Sequence, residues 1–584
     1  MATARHLLES YRTDLFPFFP IVAIHARWTA ETLRHEKPTL FLAVIAAAAS
    51  KDSPVLSARL DHEVLANYAA RTVVSSEKSL EILQALLISS VWYHPPAKYV
   101  QLKYYEYMQM AASMAMDLGI AKRASQVRGR LGQSSMAPPE EKEPRVHQAE
   151  DVSHPDLSMS SRPRDAILVS TADTESRRTF LACCIVCAGV ALSLRRPNIL
   201  RVTSYARECA DCLAWYPDVL PTDRTLLAWF NLIVIGEDMS AALCYDDPDA
   251  VASITQLRTQ VMLKDFASRL TAWHSQTSAD VLIPSLRIMY HALRLYLHEI
   301  VLHLEHSPED FRAPFQMGGL LSSFTAASVP TAVLATSLAE LVSASHGLLD
   351  SFLRIPPATL RAAPVFTYVR ISFAAFVLSK LCLSASHPEG RIGSVLDHET
   401  LKVQSYMDRS ILHVREVVGD AECKIPAILL ALLFKIRQWC ATPEIIPPMK
   451  SLGQQRAVEE TTLAPEPPAI QTGQESDSDL LAHEQTGGSS SSADTTARSL
   501  GSTPGAMVHS NDKDRETISD ISEGLVPKGE GMQLDDDFAK YLEDLGDGSD
   551  IDDWLLSDDL LGVPGQQQLY DWHTGPSLSD ETPT

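Results

Sequence analysis

The chain has 584 residues, 50 Lys and Arg, 73 Asp and Glu, and a formal net charge of −23. Residues 451–584 hold 28 acidic and 6 basic residues (net −22), and residues 1–450 hold the other 45 and 44 (net −1). A near-neutral body lacks the basic charge typical of nucleic-acid-binding domains. Only nine cysteines, an N-terminus without a signal pattern and no uninterrupted apolar run of about 18 residues disfavour a secreted or membrane protein.

The first helices are predicted where leucines and aromatic residues recur every three or four positions. Leu80, Leu83, Leu87 and Val91 follow this spacing, and Pro95 and Pro96 end the segment. The stretch Tyr99–Ile120 has the same spacing, and Gly119 lies where a helix commonly ends in a left-handed residue. Both segments are therefore predicted to be amphipathic helices.

Two further helices are predicted in the middle of the body. One runs from about Arg177 to Leu194, with Asp173 or Thr174 as its N-cap and Pro197 after its end. Another runs from about Leu286 to Leu304, with apolar residues along one face. Strand-like alternation is scarce and no βαβ rhythm occurs, so the fold class predicted for the body is all-α.

Two segments interrupt or follow this helical pattern. Residues 124–171 contain few large apolar residues and are predicted to be a polar loop inserted in a helical domain of residues 1–445. Residues 446–530 are rich in Pro, Ser, Gly and Thr and are predicted to be a disordered linker. Residues 531–584 form an acidic C-terminal segment.

Four cysteines raise the question of a zinc site. Cys184 and Cys187 together with Cys209 and Cys212 have the spacing C-x2-C-x21-C-x2-C, which is close to a zinc ribbon. Zinc ribbons place their cysteines on tight turns, however, whereas these lie in apolar helical sequence, where free cysteine packs as a small hydrophobe. We therefore predict core packing, with no metal and no cofactor.

Two other patterns invite a comparison with enzymes. His298 and His303 are five residues apart, whereas the zinc metalloprotease pattern needs four, so we interpret them, with His306, as helix-surface histidines. Asp246 and Asp247 lie beside a proline and are interpreted as a solvated turn rather than a magnesium site. A helical metal-dependent enzyme remains an alternative, but the prediction is that the chain is not an enzyme.

The acidic segment places bulky apolar residues at helical spacing among aspartates. Its predicted anchors are Phe538, Tyr541, Leu542, Leu545, Ile551, Trp554, Leu555 and Leu556. Such a segment is typical of transcriptional activation regions, which fold as short amphipathic helices in a groove of a partner. We expect it to bind coactivator proteins; the alternative is a tail that only confers solubility.

Several ordered blocks of the body resemble the fungal-specific transcription factor domain, the helical middle homology region of zinc-cluster regulators with two zinc ions and six cysteines. The blocks are Leu7–Pro20 with the following KPTLFLAVIAAAAS, Ser79–Tyr93, Tyr104–Ile120, Glu175–Cys184 and Ser193–Tyr205. Arg177 and Arg178 match the family's Arg-Arg-Thr helix, and Arg195, Arg196 and Pro197 match its Arg-Arg-Pro turn. We expect these arginines to act at helix ends and in ion pairs between helices.

The resemblance implies a nuclear regulator of RNA polymerase II transcription, an activator of a fungal metabolic or secondary-metabolite pathway. It also implies a homo- or heterodimer and a small-molecule inducer. The family's DNA-binding module is a cysteine cluster with basic residues, but the first cysteine here is Cys183 and no stretch matches that cluster. DNA binding is thus implied by the resemblance alone. The alternative is a cofactor or inhibitor that does not bind DNA and heterodimerises with a complete zinc-cluster regulator.

Overall fold

The computed structural model describes residues 1–96, 101–122, 171–215, 220–312, 315–316, 320–321, 329–387, 390–419 and 423–441, all of which lie in one compact unit. The predicted polar loop, apart from Thr171, and the predicted linker and acidic segment from residue 446 onward lie outside the described residues. Within the described ranges, every regular element is helical, so the all-α prediction is confirmed.

The helices, numbered in chain order, are α1 (Ala2–Ser10), α2 (Phe16–Phe18), α3 (Ala30–Glu36), α4 (Pro38–Asp52), α5 (Pro54–Tyr68), α6 (Leu80–Val91), α7 (Tyr104–Asp117), α8 (Thr171–Leu194), α9 (Ser204–Trp215), α10 (Asp223–Leu243), α11 (Leu257–Gln276), α12 (Pro284–His298), α13 (Thr331–Leu353), α14 (Pro357–Leu360), α15 (Val365–Ser386), α16 (His398–Leu401), α17 (Val403–Val418) and α18 (Lys424–Ala441). The π-helical turns are Tyr11–Leu15 and Ala69–Val74, and the 3₁₀ turns are Pro248–Ala250, Glu299–Leu304 and Pro308–Phe311.

Local sequence explains where several helices begin and end. Ser79 precedes α6, and its hydroxyl accepts a hydrogen bond from the Ile82 amide at 3.2 Å, which satisfies one of the free amides of the first turn. Thr29 and Thr32 cap α3 reciprocally. Gly119 follows α7 with a φ of +72°, as its position in the sequence predicts.

Three predicted boundaries are wrong. The helix predicted from Tyr99 begins at Tyr104, as α7. The helix predicted from Arg177 begins at Thr171, so the two expected caps, Asp173 and Thr174, lie inside α8. The helix predicted to reach Leu304 ends at His298 and continues as a 3₁₀ turn.

Hydrogen bonds join segments that are far apart in the sequence. The Trp92 indole N–H at the end of α6 donates to the Ala362 carbonyl at 2.9 Å, although 270 residues separate them. The Ser285 hydroxyl of α12 likewise donates to the Phe18 carbonyl at 2.5 Å. These bonds tie the N-terminal helices to the C-terminal half.

Of the four most apolar helices, α8 and α15 lie almost entirely inside the core, whereas α10 and α13 are about half buried. By length and composition α8, α10, α13 and α15 are long and apolar enough to cross a membrane, which departs from the expectation that no such segment exists. In α8 and α15, 89% of the most apolar window is buried inside the fold. A helix that is hydrophobic on all sides is typical of either a membrane span or the centre of a large helical core.

Candidate functional site: the signature arginines and the buried polar interior

Arg178 links α8 to the start of α10. Its Nε lies 2.6 Å from Asp223 Oδ1, and its Nη2 lies 2.7 Å from Asp223 Oδ2. Asp223 is only 1% exposed and also accepts a hydrogen bond from the Leu220 amide at 2.8 Å. A carboxylate in the first turn of a helix is favoured by the helix dipole, and the two-pronged pairing with a guanidinium fixes its geometry.

Arg195 enters the core at the end of α8. It has a φ of +53°, is 5% exposed, and its Nη2 donates to Glu299 Oε2 at 2.5 Å. The guanidinium carbon lies 4.4 Å from the centre of the Tyr245 ring and 4.9 Å from that of Tyr296. This cation is therefore held by one carboxylate and two aromatic faces.

The environment of Glu299 shifts its pKa strongly. Burial raises the pKa of this carboxyl to about 7, and the charge of Arg195 opposes the rise. His303 Nε2 lies 3.8 Å from Glu299 Oε1, but burial lowers the pKa of His303 to about 3, so its ring is neutral. The interior thus holds one permanent cation beside a carboxyl that ionises near neutral pH.

The remaining signature residues contact other neighbours. The Arg196 guanidinium lies 4.9 Å from the centre of the Tyr105 ring of α7, and the Tyr105 hydroxyl donates to the Pro197 carbonyl at 2.7 Å. Arg177 is half-buried in α8, close enough to Cys209 for its charge to act on that thiol. The signature arginines and Pro197 therefore join α8 to α7, α9, α10 and the 3₁₀ turn Glu299–Leu304.

A second set of buried charges was not predicted. Lys380 of α15 is 0% exposed, and its Nζ donates to Asp310 Oδ2 at 2.8 Å. Arg370, also in α15, is 2% exposed and lies 4.5 Å from the centre of the Phe366 ring. The signal was available, because two basic residues are the only charged residues in this largely apolar 22-residue helix, which implies buried partners.

The interpretation of the histidines as surface residues is wrong. His298 and His306 are 5% and 0% exposed, and His306 Nε2 lies 2.9 Å from Ser384 Oγ. The change from α-helix to 3₁₀ turn at Glu299 alters the direction of the later histidines, and α13 and α15 pack over this region. Asp246 and Asp247, in contrast, are exposed in a turn, where Asp247 Oδ1 accepts from the Asp249 amide at 3.1 Å.

The four zinc-spaced cysteines lie in α8 and α9. Cys184, Cys187 and Cys209 are buried, and Cys212 is partly exposed. Burial raises the pKa of the Cys184 and Cys209 thiols, whereas a zinc ligand must be a thiolate. In the part of the chain that the structure describes, no three His, Cys, Asp or Glu side chains come together as metal ligands.

The predicted activation anchors from Phe538 to Leu556 lie outside the described residues. The described residues form a large helical body, and its buried polar side chains fix the helices relative to one another.

Comparisons with known proteins assign the helical body to a protein family. The family model of the WAR1 C-terminal domain matches residues 1–382, which is more than half of the chain. Transcription factor pbcR of Emericella nidulans is 24% identical over 75% of this chain and 52% of its own length. Transcription factor himD of Aspergillus japonicus is 23% identical over 72% of this chain and 62% of its own length. The transcriptional regulator WAR1 of Candida albicans is 22% identical over 65% of this chain and 35% of its own length.

The chain spans about half the length of the curated relatives it matches. No solved structure shows a significant match. The matched region runs from α1 through most of α15 and includes all of the signature arginines. The chain belongs to the WAR1 C-terminal domain family, a family of fungal transcription factors.

Proposed function

We propose that this chain is the regulatory and activating part of a fungal transcription factor of the zinc-cluster class, acting in the nucleus on genes read by RNA polymerase II. The observation that carries the proposal is the family match over residues 1–382, together with relatives that are each named as transcription factors or regulators. Those names favour a regulator over an enzyme. DNA binding, dimerisation and response to an inducer belong to the same proposal.

The two parts of the chain divide this work. The helical body holds its helices through buried ion pairs such as Arg178–Asp223 and Arg195–Glu299, which suits a domain that receives signals and contacts partners. The acidic segment carries Phe538 and Trp554 among carboxylates at helical spacing. It binds a coactivator groove with a basic rim, where the apolar anchors are buried and the aspartates face the rim.

A reporter assay tests the activating segment. Residues 531–584 are fused to an unrelated DNA-binding domain, and reporter transcripts are counted. We expect transcription well above background, and a loss of at least about fivefold when Phe538→Ala and Trp554→Ala are combined, because two buried aromatic anchors are removed. Trp572→Ala, in the same segment but outside the anchor spacing, is the matched control and should leave the output unchanged.

Output at background for the unaltered fusion would contradict the activation proposal. Equal losses from Trp572→Ala and from the double anchor variant would show that the spacing carries no information.

A second candidate is a cofactor that heterodimerises with a complete zinc-cluster regulator. It is favoured by the near-neutral charge of residues 1–450, which offers little attraction to phosphate. The purified chain is titrated with promoter DNA at physiological salt. Nanomolar, sequence-specific binding would exclude the cofactor, and binding that requires a zinc-cluster partner would support it.

A further inference from the structure

A groove opens between two helices that both pack on α12. α11 forms one wall and α13 the other, and the space between them measures about 640 Å³. Small side chains face each other across it, including Ser268 and Thr271 on α11 and Ala332 and Thr336 on α13. This volume lies within the range of about 300–1,000 Å³ that is usual for small-molecule sites.

The floor of the groove contains a buried histidine. His298, at the end of α12, lines the groove and is 5% exposed, and its Nδ1 has no hydrogen-bond partner among the residues that the structure describes. Burial lowers the pKa of His298 to about 4, so the ring is neutral at physiological pH. A neutral imidazole carries one N–H and one lone pair.

The tautomer of this ring follows from the burial of Nδ1. Among backbone groups, a buried N–H without an acceptor is rarer than an under-satisfied carbonyl oxygen. By the same argument we assign the lone pair to Nδ1 and the proton to Nε2. The ring thus offers a hydrogen-bond donor to an acceptor atom in the groove.

Two opposite charges that line the groove offset each other. The Arg294 Nη2 donates to Glu340 Oε2 at 2.5 Å, and both side chains line the groove. Lys264 is exposed at the rim, where water solvates it. An ionised group of a ligand that reached the bottom of the groove would lose its hydration, and it would find no opposite charge that is not already paired. An uncharged molecule therefore fits the groove better.

We propose that the groove between α11 and α13 binds an uncharged, mainly apolar small molecule that carries one acceptor oxygen, such as a ketone, placed against His298. The walls supply apolar contact from Leu263, Ala267 and Val333. Binding is measured directly on the purified chain and does not depend on what the chain does to transcription.

The probe for the test is Prodan, an uncharged naphthalene ketone whose emission shifts to the blue in apolar surroundings. We expect saturable binding of one Prodan per chain. Thr336→Trp and Ser268→Trp, both at exposed positions lining the groove, fill it from opposite walls and should each weaken binding at least about tenfold. Arg258→Trp, at an exposed position of α11 that does not line the groove, is the matched control and should not change the affinity.

A second variant tests the hydrogen bond. His298→Phe keeps a ring of similar size but removes the donor. We expect about five- to tenfold weaker binding of Prodan, and a change of less than about twofold for phenylnaphthylamine, an uncharged probe without an oxygen acceptor. Circular dichroism of each variant confirms that its helices are intact.

Three results would overturn the proposal. The first is no saturable binding of either probe to the wild-type chain. The second is wild-type affinity for Prodan in both folded tryptophan variants of the groove. The third is an equal loss for the two probes in His298→Phe.

Discussion

Replacing Arg195 by methionine removes the guanidinium beside Glu299 but keeps an unbranched side chain in the core. In the wild-type chain burial raises the pKa of Glu299 to about 7, and Arg195 opposes any further rise. Without that cation the pKa of Glu299 climbs above 7. The other titratable groups that face Glu299 stay uncharged near neutral pH, because burial raises the pKa of Tyr245 and Tyr296 and lowers that of His303 to about 3.

The pH dependence follows from the direction of this shift. The pKa of Glu299 in the folded chain lies above the ordinary value of 4.5, so the folded state holds the proton more tightly than the unfolded state. The free energy of unfolding therefore falls as pH rises from the ordinary pKa to the folded one, at about 1.4 kcal/mol per pH unit. In wild type this fall ends near pH 7, whereas in Arg195→Met it continues to higher pH.

The two curves therefore separate above neutral pH. The gap in the free energy of unfolding should widen by up to about 2 kcal/mol between about pH 7 and pH 8.5. Arg195→Met also loses the charge-assisted hydrogen bond to Glu299, which lowers the free energy of unfolding by about 1.5–3 kcal/mol at every pH in this range. The widening of the gap adds to this constant loss.

Urea unfolding followed by circular dichroism at several pH values measures this gap. A double variant, Arg195→Met with Glu299→Gln, is the matched control, because it has no carboxyl to titrate and its gap from Glu299→Gln should not depend on pH. A gap between wild type and Arg195→Met that is the same at about pH 6 and pH 8.5 would refute the assignment of the raised pKa to Glu299.

Two further stability predictions use matched pairs of sites. Arg178→Met leaves the buried Asp223 without its guanidinium partner and should lower the free energy of unfolding by about 3–5 kcal/mol. Arg224→Met, which breaks an ion pair that is more than half exposed, should change it by less than about 1 kcal/mol. Equal shifts of the urea midpoint in the two variants would contradict this prediction. Gly236→Ala places a Cβ atom 2.9 Å from side-chain carbons of Leu192 and Leu293 and should destabilise by about 1–3 kcal/mol. Gly189→Ala, where the nearest atom lies 3.9 Å from the added Cβ atom, should be neutral or stabilise the chain by up to about 1 kcal/mol. If thermal unfolding showed Gly189→Ala to be less stable than Gly236→Ala, then α8, α10 and α12 would not be in close contact at Gly236.

Local pattern was sufficient for the fold class and for several helices. The spacing of Leu80, Leu83, Leu87 and Val91 places them on one face of a helix, and α6 spans these four positions but ends at Val91, before the predicted stop at Pro95. Gly119 marks the end of α7 because a left-handed residue without a Cβ satisfies the last carbonyls at little steric cost. Such features depend on residues within one or two turns of each other.

The polar interior depends on residues that are far apart in sequence. Arg195, two residues before Pro197, has the local pattern of an exposed helix end, but its partner Glu299 lies 104 residues away. The change to a 3₁₀ turn at Glu299 leaves no mark in the apolar spacing of the preceding helix, so the exposure of the histidines was predicted wrongly. The groove depends on how α11 and α13 sit on α12, which periodicity does not report.

Transcription from a tethered reporter tests the proposed role of the chain most directly. The full chain and a version that ends at residue 530 are each fused to the same unrelated DNA-binding domain in a fungal cell, and transcripts are counted at equal protein levels. We predict transcription well above background for the full chain and a return to background for the shorter one. Background transcription from both proteins, or equal activation by both, would contradict a regulator that activates through its acidic C-terminal segment.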